Sequence, residues 1–313
     1  MPFKPVPQKF TAAIKEVVIG TGDTAVTLGG ENVFPLYSFD APFKNPPRIG
    51  VEISDRGPDR NIPGIAAFYA GAETVADAAK RACQMPGAHF VSLVLESADP
   101  NGKNASIEDC TALCREVAGS LSLPLVIQGC KNIEKDGKLF EKIAEALQGK
   151  NALLMSAREE NYKAVAVAAV MAYSQKIGAE SSVDINLAKQ LNVLISQLGV
   201  GNESLIMNLG SAAAGYGFEY VASTMERVKS AALAQNDGML QMPIITPVSA
   251  EAWSVKEALV PEEDIPEWGP LEERGIAMEI STAAAALAAG ANAVIMRHPA
   301  AVAAISKLIS DLM

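Results

Sequence analysis

The stretch from Asn208 to Tyr220 is the part of the sequence best suited to hold a ligand. It reads Asn-Leu-Gly-Ser-Ala-Ala-Ala-Gly-Tyr-Gly-Phe-Glu-Tyr, and it lies between a predicted strand and a predicted helix. Glycine and other small residues let the backbone approach something large and flat, and free N–H groups at the start of a helix can meet an acceptor. Close packing against a neighbouring loop is the alternative, but such a loop serves a ligand more often than not.

Polar and charged residues also follow the other short apolar runs of the chain. They are Ser54, Asp55 and Arg56; Glu96, Ser97 and Asp99; Gln128, Cys130 and Lys131; Ser156, Arg158 and Glu159; Asp184 and Asn186; Thr246; and Arg297 and His298. The set contains both acidic and basic side chains, together with amides and hydroxyls that can form hydrogen bonds. No single residue stands out as a reactive group, so the set predicts binding rather than catalysis. The alternative is that these residues are polar only because the loops that carry them face water. For each residue taken alone, this interpretation is about as good as a binding role.

The sequence predicts no metal or iron–sulfur site. Of its two histidines, His89 begins a predicted strand and has a structural interpretation, whereas His298 follows the last strand and could reach a ligand. Cys110 and Cys114 lie four residues apart on one helix face, and no Cys-x₂-Cys spacing occurs, so the cysteines are predicted to be small buried residues. Cys130 is the only thiol at a predicted strand end.

Eight short apolar runs, each followed by a segment that can form a helix, must position these polar groups. Continuous apolar runs of this length, flanked by helices, are typical of strands buried on both faces of a parallel sheet. The predicted strands are residues 49–54, 89–95, 124–127, 152–156, 183–186, 205–208, 243–246 and 293–296. Eight βα units predict an α/β fold, a closed (β/α)₈ TIM barrel over residues 49–313, with its functional groups where the strands end.

Residues 1–48 fall outside this repeat and are predicted to form an N-terminal extension with a β-hairpin. Segments 16–19 and 25–28 have strand character, and residues 20–24 form a turn between them. Gly20-x-Gly22-x-x-Ala25 superficially matches a dinucleotide fingerprint, but no helix follows it, so the hairpin is favoured. We expect the hairpin to close the lower end of the barrel. The long connection 57–71 is predicted to be functional or an interface.

Composition and charge argue against several classes of protein, including nucleic-acid-binding and membrane-spanning proteins. The 313-residue chain has a formal net charge of −10, which argues against nucleic acid or an anionic membrane as partner. The sequence has no apolar segment suited to span a membrane and does not begin like a signal peptide. Four cysteines without close pairing suit a reducing compartment, so a cytoplasmic location is expected.

A set of motifs in order along the chain resembles a known family. The motifs are Ser-Ala-Arg-Glu-Glu-Asn-Tyr at 156–162, Val-Asp-Ile-Asn-Leu-Ala-Lys-Gln-Leu-Asn at 183–192, Ala-Gly-Tyr-Gly-Phe-Glu-Tyr at 214–220, Met-Glu-Arg at 225–227, Leu-Gln-Met-Pro-Ile at 240–244, Ala252-Trp253, Trp268-Gly269, Glu-Arg-Gly at 273–275 and Met-Arg-His-Pro at 296–299. From about Ile49 to the C-terminus, the sequence resembles the small subunit of the corrinoid iron–sulfur protein of the acetyl-CoA pathway, a delta-type subunit of acetyl-CoA decarbonylase/synthase. The fold of that family, a (β/α)₈ barrel, agrees with the strand count.

The resemblance implies a heterodimer that carries a methyl group on cobalt. A methyltransferase loads the methyl group from methyltetrahydrofolate, and acetyl-CoA synthase receives it. The large subunit is expected to hold the [4Fe–4S] cluster and most of the cobalamin, while this barrel caps the corrin. The sequence is consistent with that division, because it contains neither a cluster motif nor an Asp-x-His-x-x-Gly segment.

The residues expected to contact the shared cobalamin lie at predicted strand ends and in the glycine-rich loop. They are Asp184, Asn186, Asn208, Gly210, Ser211, Gly215, Gly217, Arg158, Thr246 and His298. No catalytic residue and no metal ligand is predicted.

Two other functions remain open from the sequence. A pterin-dependent methyltransferase barrel, acting catalytically itself, would use Asp184, Asn186 and Asn208, with Arg297-His298 close to a pattern found in relatives of dihydropteroate synthase. A scaffold barrel with a role only in subunit assembly would use segments 57–71 and 261–269 as interfaces. Residue types at a barrel rim are weak grounds for choosing among these functions.

Overall fold

A (β/α)₈ barrel is the architecture of the computed structural model, which describes residues 6–313. The strands of the barrel are parallel and are β3 Arg48–Ser54, β4 Phe90–Val94, β5 Leu125–Gln128, β6 Leu153–Ala157, β7 Lys176–Glu180, β8 Leu205–Asn208, β9 Ile245–Pro247 and β10 Ala293–Met296. Their order around the sheet is β8-β7-β6-β5-β4-β3-β10-β9. A parallel bridge between Met207 and Ile244 joins β8 to the segment that leads into β9 and closes the barrel. The predicted fold class is confirmed.

Helices surround the barrel and alternate with its strands. They are α1 Pro63–Phe68, α2 Val75–Ala82, α3 Ile107–Ser120, α4 Ile133–Ala146, α5 Tyr162–Ala166, α6 Ile185–Gln197, α7 Phe218–Leu233, α8 Ser249–Ala252, α9 Lys256–Leu259, α10 Leu271–Ala289 and α11 Pro299–Leu312. Between β9 and α10 lie two short helices, α8 and α9, and the long connection 57–71 contains α1. None of the helices in the described part of the chain is both long and apolar enough to cross a membrane.

Side-chain caps determine where several helices begin. Thr74, Ser106, Asn132 and Asp184 each accept a hydrogen bond from a backbone N–H in the first turn of α2, α3, α4 and α6. Such a cap contributes about 1 kcal/mol to stability. The caps also end the loops that run over the carboxyl ends of the strands, so they help to hold the rim in place.

The strands alternate between two packing environments, as the two-residue period of a strand requires. In β8, Leu205 and Met207 pack with the helices, whereas Ile206 belongs to a separate cluster in the barrel interior. In β3, Gly50 leaves room for the ring of Phe90, since a Cβ atom at Gly50 would collide with that ring. The lower part of the barrel is therefore filled with apolar side chains.

The predicted hairpin is present and packs against that interior. Strands β1 Val17–Ile19 and β2 Val26–Leu28 pair antiparallel, and a 3₁₀ turn joins them. Val17, Ile19, Val26 and Leu28 form one buried cluster with interior residues near the amino ends of the barrel strands, which include Phe90, Leu153 and Ala293. The hairpin thus closes the lower end of the barrel and leaves the carboxyl end available to a ligand.

A buried ion pair ties the N-terminal extension to the barrel. Lys229, on α7, donates from Nζ to Glu31 Oε1 at 2.7 Å and to Asn292 Oδ1 at 2.8 Å. The lysine and glutamate side chains are only 2% and 5% exposed, and Asn292 Nδ2 also donates to Glu31 Oε1 at 2.8 Å. Each charge is therefore almost fully desolvated and depends on the other.

The fifth barrel strand was predicted in the wrong place. Residues 183–186 do not form a strand; Val183 lies in a loop, Asp184 caps α6, and α6 begins at Ile185. The strand is Lys176–Glu180, which pairs with β6 and β8. Gly178 and Ala179 are weak strand formers, whereas the alternation in Val-Asp-Ile-Asn imitates a strand locally.

Candidate functional site

The inward-facing side chains change from apolar to polar at the carboxyl ends of the strands. The polar set comprises Glu52, Gln128, Glu180, Asn208 and Arg297. Together with the loops that follow the strands, these residues line a cavity of about 530 Å³, which we call the mouth cavity. A TIM barrel places its functional groups at this end, so the mouth cavity is the candidate site.

Asn208 joins three neighbouring strands in the wall of the mouth cavity. It is 4% exposed, and its Nδ2 donates to Ser156 Oγ at 3.1 Å and lies 3.3 Å from Glu180 Oε2. Its Oδ1 accepts from the N–H of Gly210 at 3.1 Å. Arg158 donates to the other oxygen of Glu180 at 2.7 Å. The carboxylate of Glu180 is therefore paired, and Asn208 links it to the start of the glycine-rich loop.

A second polar network lies in another part of the wall. Arg297 donates to Glu52 Oε1 at 2.8 Å, and Gln128 Nε2 donates to Glu52 Oε2 at 3.2 Å and to Ser92 Oγ at 3.0 Å. Glu52 is 8% exposed. Because a buried carboxylate is costly unless it is paired, Arg297 and Gln128 are what allow Glu52 to occupy this position.

Cys130 lies at the cavity wall as predicted, but its surroundings do not activate the thiol. Its Sγ donates to Asp136 Oδ1 at 3.1 Å, and its N–H donates to the same oxygen at 2.8 Å. Burial, followed by smaller effects that include the Asp136 carboxylate, raises the pKa of the Cys130 thiol to about 11. Burial also raises the pKa of Asp136. Cys130 is therefore a protonated donor at neutral pH and not a nucleophile.

Four of the ten residues predicted to bind the cofactor line the mouth cavity: Arg158, Asn208, Gly210 and Ser211. Gly210 has a φ of 87°, a left-handed backbone conformation that favours glycine, and it lies close to the loop that contains Val183. Ser211 Oγ is buried and has no hydrogen-bond partner in the described part of the chain. The structure thus brings these four predicted residues together in the wall of one cavity.

The other six residues lie outside the cavity lining: Asp184, Asn186, Gly215, Gly217, Thr246 and His298. Asp184 and Asn186 do not end a strand, because the strand they were assigned to is a loop and a helix start. Gly217 is the N-cap of α7 and has a left-handed backbone conformation, and Gly215 is two residues before it in the same loop. Thr246, within β9, is fully buried.

His298 is inaccessible and structural in its contacts. It is 3% exposed, its Nδ1 accepts from the N–H of Ala300 at the start of α11, and its Nε2 lies 3.0 Å from Glu272 Oε1. Its ring stacks on Trp253 with centroids 5.7 Å apart. These contacts fix the segment after β10, the strand end that carries Arg297 towards the cavity.

Glu279 on α10 holds that same segment and gives a pH-dependent prediction. It is fully buried and accepts from the N–H groups of Arg297 at 2.6 Å and His298 at 3.2 Å, and burial raises its pKa from an ordinary value of 4.5 to about 7. The folded state therefore binds a proton more tightly than the unfolded state. Its contribution to stability is fully present below pH 4.5 and is lost as pH rises through 7.

We expect Glu279→Gln to remove this dependence. Between pH 5 and 8, the free energy of unfolding of the variant should rise relative to that of the wild type by about 2–3 kcal/mol, because only the wild type must ionise a buried carboxyl group. Urea unfolding of both proteins at four pH values measures the difference between their free energies of unfolding. Groups that titrate in both proteins contribute equally and cancel in this difference. Parallel pH profiles for the two proteins would contradict the assignment.

Glu52 and Glu180, at strand ends, are among the site residues that the sequence analysis missed, as are Asp136 and Glu251 in the surrounding loops and helices. Glu52 is the only charged residue within the run Ile-Gly-Val-Glu-Ile at 49–53, and the two-residue period places it inward with Gly50. That isolated charge was the available signal. Glu180 was missed because its strand was misplaced.

Carboxylates outnumber cations around the mouth cavity. The acidic lining residues are Glu52, Glu96, Asp99, Asp136, Glu180 and Glu251, and the basic ones are Arg56, Lys131, Arg158 and Arg297. Such a wall has no surplus of positive charge for a phosphate or another strong anion. No group of three or more His, Cys, Asp or Glu side chains among residues 6–313 is arranged to hold a metal ion. The cavity suits an uncharged ligand with several hydrogen-bonding groups.

Comparison of the sequence with known families identifies the chain. The family model of the CO dehydrogenase/acetyl-CoA synthase delta subunit matches residues 16–308. This chain belongs to that delta-subunit family. The delta subunit of the acetyl-CoA decarbonylase/synthase complex of Archaeoglobus fulgidus is 32% identical over 99% of this chain and 71% of its own length. Delta 1 of the corresponding complex of Methanosarcina thermophila is 31% identical over 97% of this chain and 72% of its own length.

Solved structures support the barrel independently. The structure of dihydropteroate synthase of Xanthomonas albilineans with 4-aminobenzoic acid superposes on the present structure with a TM-score of 0.57. The superposition covers 95% of this chain and 98% of the synthase chain. Their sequences are 13% identical, so the likeness establishes the TIM-barrel fold alone. It agrees with the strand order described above.

Proposed function

We propose that this chain is the small subunit of a heterodimeric corrinoid iron–sulfur methyl carrier, in which its barrel caps a cobalamin held by the large subunit. The methyl group would come from methyltetrahydrofolate through a methyltransferase and pass to acetyl-CoA synthase. The family membership supports the complex, and the composition of the mouth cavity is the observation that carries the capping role. When bound, a corrinoid supplies a cobalt ion that accepts and releases a methyl group.

The residues at the mouth fit the edge of a corrin better than its metal. The hydroxyl groups of Ser156 and Ser211 can each donate a hydrogen bond to the uncharged amide arms of the macrocycle, whereas the Asn208 amide is used within the wall. The unpartnered Ser211 Oγ is one donor that such an arm could satisfy. His298, the histidine nearest this end of the barrel, is buried against Trp253 and Glu272.

Three tasks follow for residues of this chain. Asn208 and Gly210 fix the loop that faces the ligand, and Arg158 keeps the charge of Glu180 paired in a partly desolvated wall. The barrel mouth excludes water from whatever it covers. No group in the wall has to donate or accept a proton, which agrees with a protonated Cys130.

Corrinoid content measured by absorbance tests the proposal. We expect the chain purified alone to contain little corrinoid and the complex with its large subunit to contain about one per heterodimer. Hydrogen exchange should show that the loop from Leu209 to Gly217 is more protected when the corrinoid is present. Tight, stoichiometric corrinoid on the isolated chain would count against a capping role.

A catalytic, pterin-dependent methyltransferase barrel is the second candidate function. The observation in its favour is the volume of the mouth cavity, about 530 Å³, which falls in the range of small-molecule sites. Calorimetric titration of the isolated chain with methyltetrahydrofolate separates the two candidates. Micromolar binding would support the catalytic barrel, and absence of heat would remove it.

A further inference from the structure

Large apolar side chains are exposed on the rim of the barrel, around the short helix α9. Tyr216, Leu259 and Trp268 are 43%, 60% and 38% exposed. A single exposed apolar side chain is ordinary, whereas a contiguous group of them is a recognised sign of an interaction site. We call these three residues, together with the segment 261–267, the rim surface.

Side-chain contacts hold the aromatic residues of the rim surface against α9. Tyr216 donates from its hydroxyl to Glu257 Oε2 at 2.6 Å, which ties the glycine-rich loop to this helix. Lys256 Nζ lies 5.4 Å from the centre of the Trp268 ring, and the guanidinium carbon of Arg274 lies 5.9 Å from it. Leu259 is the last residue of α9 itself. Because these side chains are already in place, they lose little conformational entropy when a partner binds.

The segment that leads to Trp268 is acidic and has no cations of its own. It reads Pro-Glu-Glu-Asp-Ile-Pro-Glu at 261–267. Its four carboxylates are exposed, and none forms an ion pair with another side chain of residues 6–313: Glu262, Glu263, Asp264 and Glu267. These charges repel an anionic surface and attract one that is rich in lysine and arginine.

The rim surface is on the same face of the barrel as the mouth cavity. Helix α9 and segment 261–267 belong to the connection between β9 and α10, and Ala250 and Glu251 of that connection line the cavity. Tyr216 belongs to the loop after β8, which lines the cavity through Ser211. A stable protein interface covers about 800 Å² of each partner. A protein that covers the mouth therefore has to extend onto the rim.

The residue types of the rim surface fit a protein better than another class of partner. Tryptophan and tyrosine are common among the residues that dominate protein interfaces, because a large, rigid ring buries much apolar area at a small entropic cost. Nucleic acid and anionic membranes carry the same sign of charge as the acidic segment. The complementary partner is a protein face with an apolar pocket flanked by lysine or arginine.

We propose that the rim surface docks the large subunit of the heterodimer, with Leu259 and Trp268 in an apolar pocket of that subunit and its basic side chains opposite Glu262 and Glu263. The choice of this partner rests on the proposed function. The apolar contacts act mainly on the rate at which the complex dissociates, whereas the carboxylates act mainly on the rate of association.

Binding kinetics test the apolar contacts, with the full chain and the purified large subunit in surface plasmon resonance. We expect Leu259→Ala and Trp268→Ala each to raise the dissociation rate roughly tenfold. The control Met171→Ala, at a position that is 56% exposed outside the rim surface, should leave it unchanged. Because Leu259 is exposed in the free chain, Leu259→Ala should keep the melting temperature of the wild type, which separates lost binding from lost folding.

A double charge reversal tests the acidic segment. Glu262→Lys with Glu263→Lys should lower the association rate roughly tenfold at about 0.05 M salt, and the difference should largely disappear at about 0.5 M. The control is Glu116→Lys with Glu141→Lys, at exposed positions of α3 and α4. It changes the net charge equally, so a much smaller effect of the control assigns the attraction to the segment and not to the whole chain.

The corrinoid content of the complex, measured by absorbance, keeps this proposal apart from the capping role. A complex without corrinoid that is weakened by Leu259→Ala supports the docking surface and contradicts capping. A complex with corrinoid that every rim variant forms at wild-type rates overturns the docking surface and leaves capping in place. Failure of the large subunit to bind the wild-type chain overturns both. The same kinetics with the methyltransferase identify the other occupant: rim variants that lose only this protein overturn the assignment to the large subunit.

Discussion

Under the proposed capping role, replacement of Asn208 by alanine is expected to lower the rate of methyl transfer by the proposed heterodimer roughly tenfold to a hundredfold. The side chain is 4% exposed and connects Ser156 on β6, Glu180 on β7 and the N–H of Gly210. Without it, the N–H of Gly210 loses its acceptor and Glu180 keeps only Arg158 as a side-chain partner. The glycine-rich loop then lacks the contact that fixes where it begins.

A matched control separates this effect from simple destabilisation. Asn192 on α6 is also buried, and its Nδ2 donates to the carbonyl of Met239 at 2.8 Å, outside the lining of the mouth cavity. Asn192→Ala should destabilise the fold to a similar degree but leave methyl transfer in the folded complex unchanged. The measurement is the methyl-transfer rate per folded heterodimer, with folded protein quantified by circular dichroism. Equal rates for Asn208→Ala and wild type would instead favour a scaffold barrel.

The sequence predicts the barrel well because the pattern that marks its strands is a property of each strand alone. Seven of the eight predicted runs overlap observed strands, and 205–208 and 293–296 agree at both ends. Burial on both faces forces a run of apolar residues, which can be read without knowledge of the partners. Lys176–Glu180 escaped detection because its partners, β6 and β8, compensate for a weak intrinsic preference.

The site was predictable only in part, because a side chain's direction depends on the register between strands. Asn208 and Arg158 end or follow strands and lie in the mouth cavity as expected. Thr246 also belongs to a strand, but it alternates with Ile245, which faces the barrel interior, so Thr246 does not line the cavity. His298 is occupied by a helix start and by Glu272. Side chains along a strand alternate between the interior and the helices, so Glu52 and Glu180 can be assigned to the interior only when the register of their strands is known. The register pairs Glu52 with Ser92 and Glu180 with Asn208, and it appears only in the assembled sheet.

Replacement of Lys229 by methionine is expected to be the most destabilising single change considered for this chain, with a loss of about 3–5 kcal/mol in the free energy of unfolding. The substitution keeps the unbranched apolar part of the side chain but leaves the Glu31 carboxylate buried, with Asn292 as its remaining donor. The cost arises from that unpaired charge more than from the lost attraction. For a chain of this size it corresponds to a fall in melting temperature of roughly 6–15 °C, measured by calorimetry.

The double variant Lys229→Met with Glu31→Gln tests the cause, because it removes both charges and should recover most of the lost stability. Lys307→Met is the control: Lys307 pairs with Asp311 at 2.6 Å, but the two side chains are 75% and 60% exposed, so its loss should cost less than about 1 kcal/mol. If the double variant were no more stable than Lys229→Met, packing of the lysine stem, and not charge, would hold the extension. In either case the hairpin keeps anchors that do not involve α7, because Asn151 Nδ2 donates to the carbonyls of Val18 and Gly20 at 2.9 Å and the hairpin side chains pack in the barrel interior.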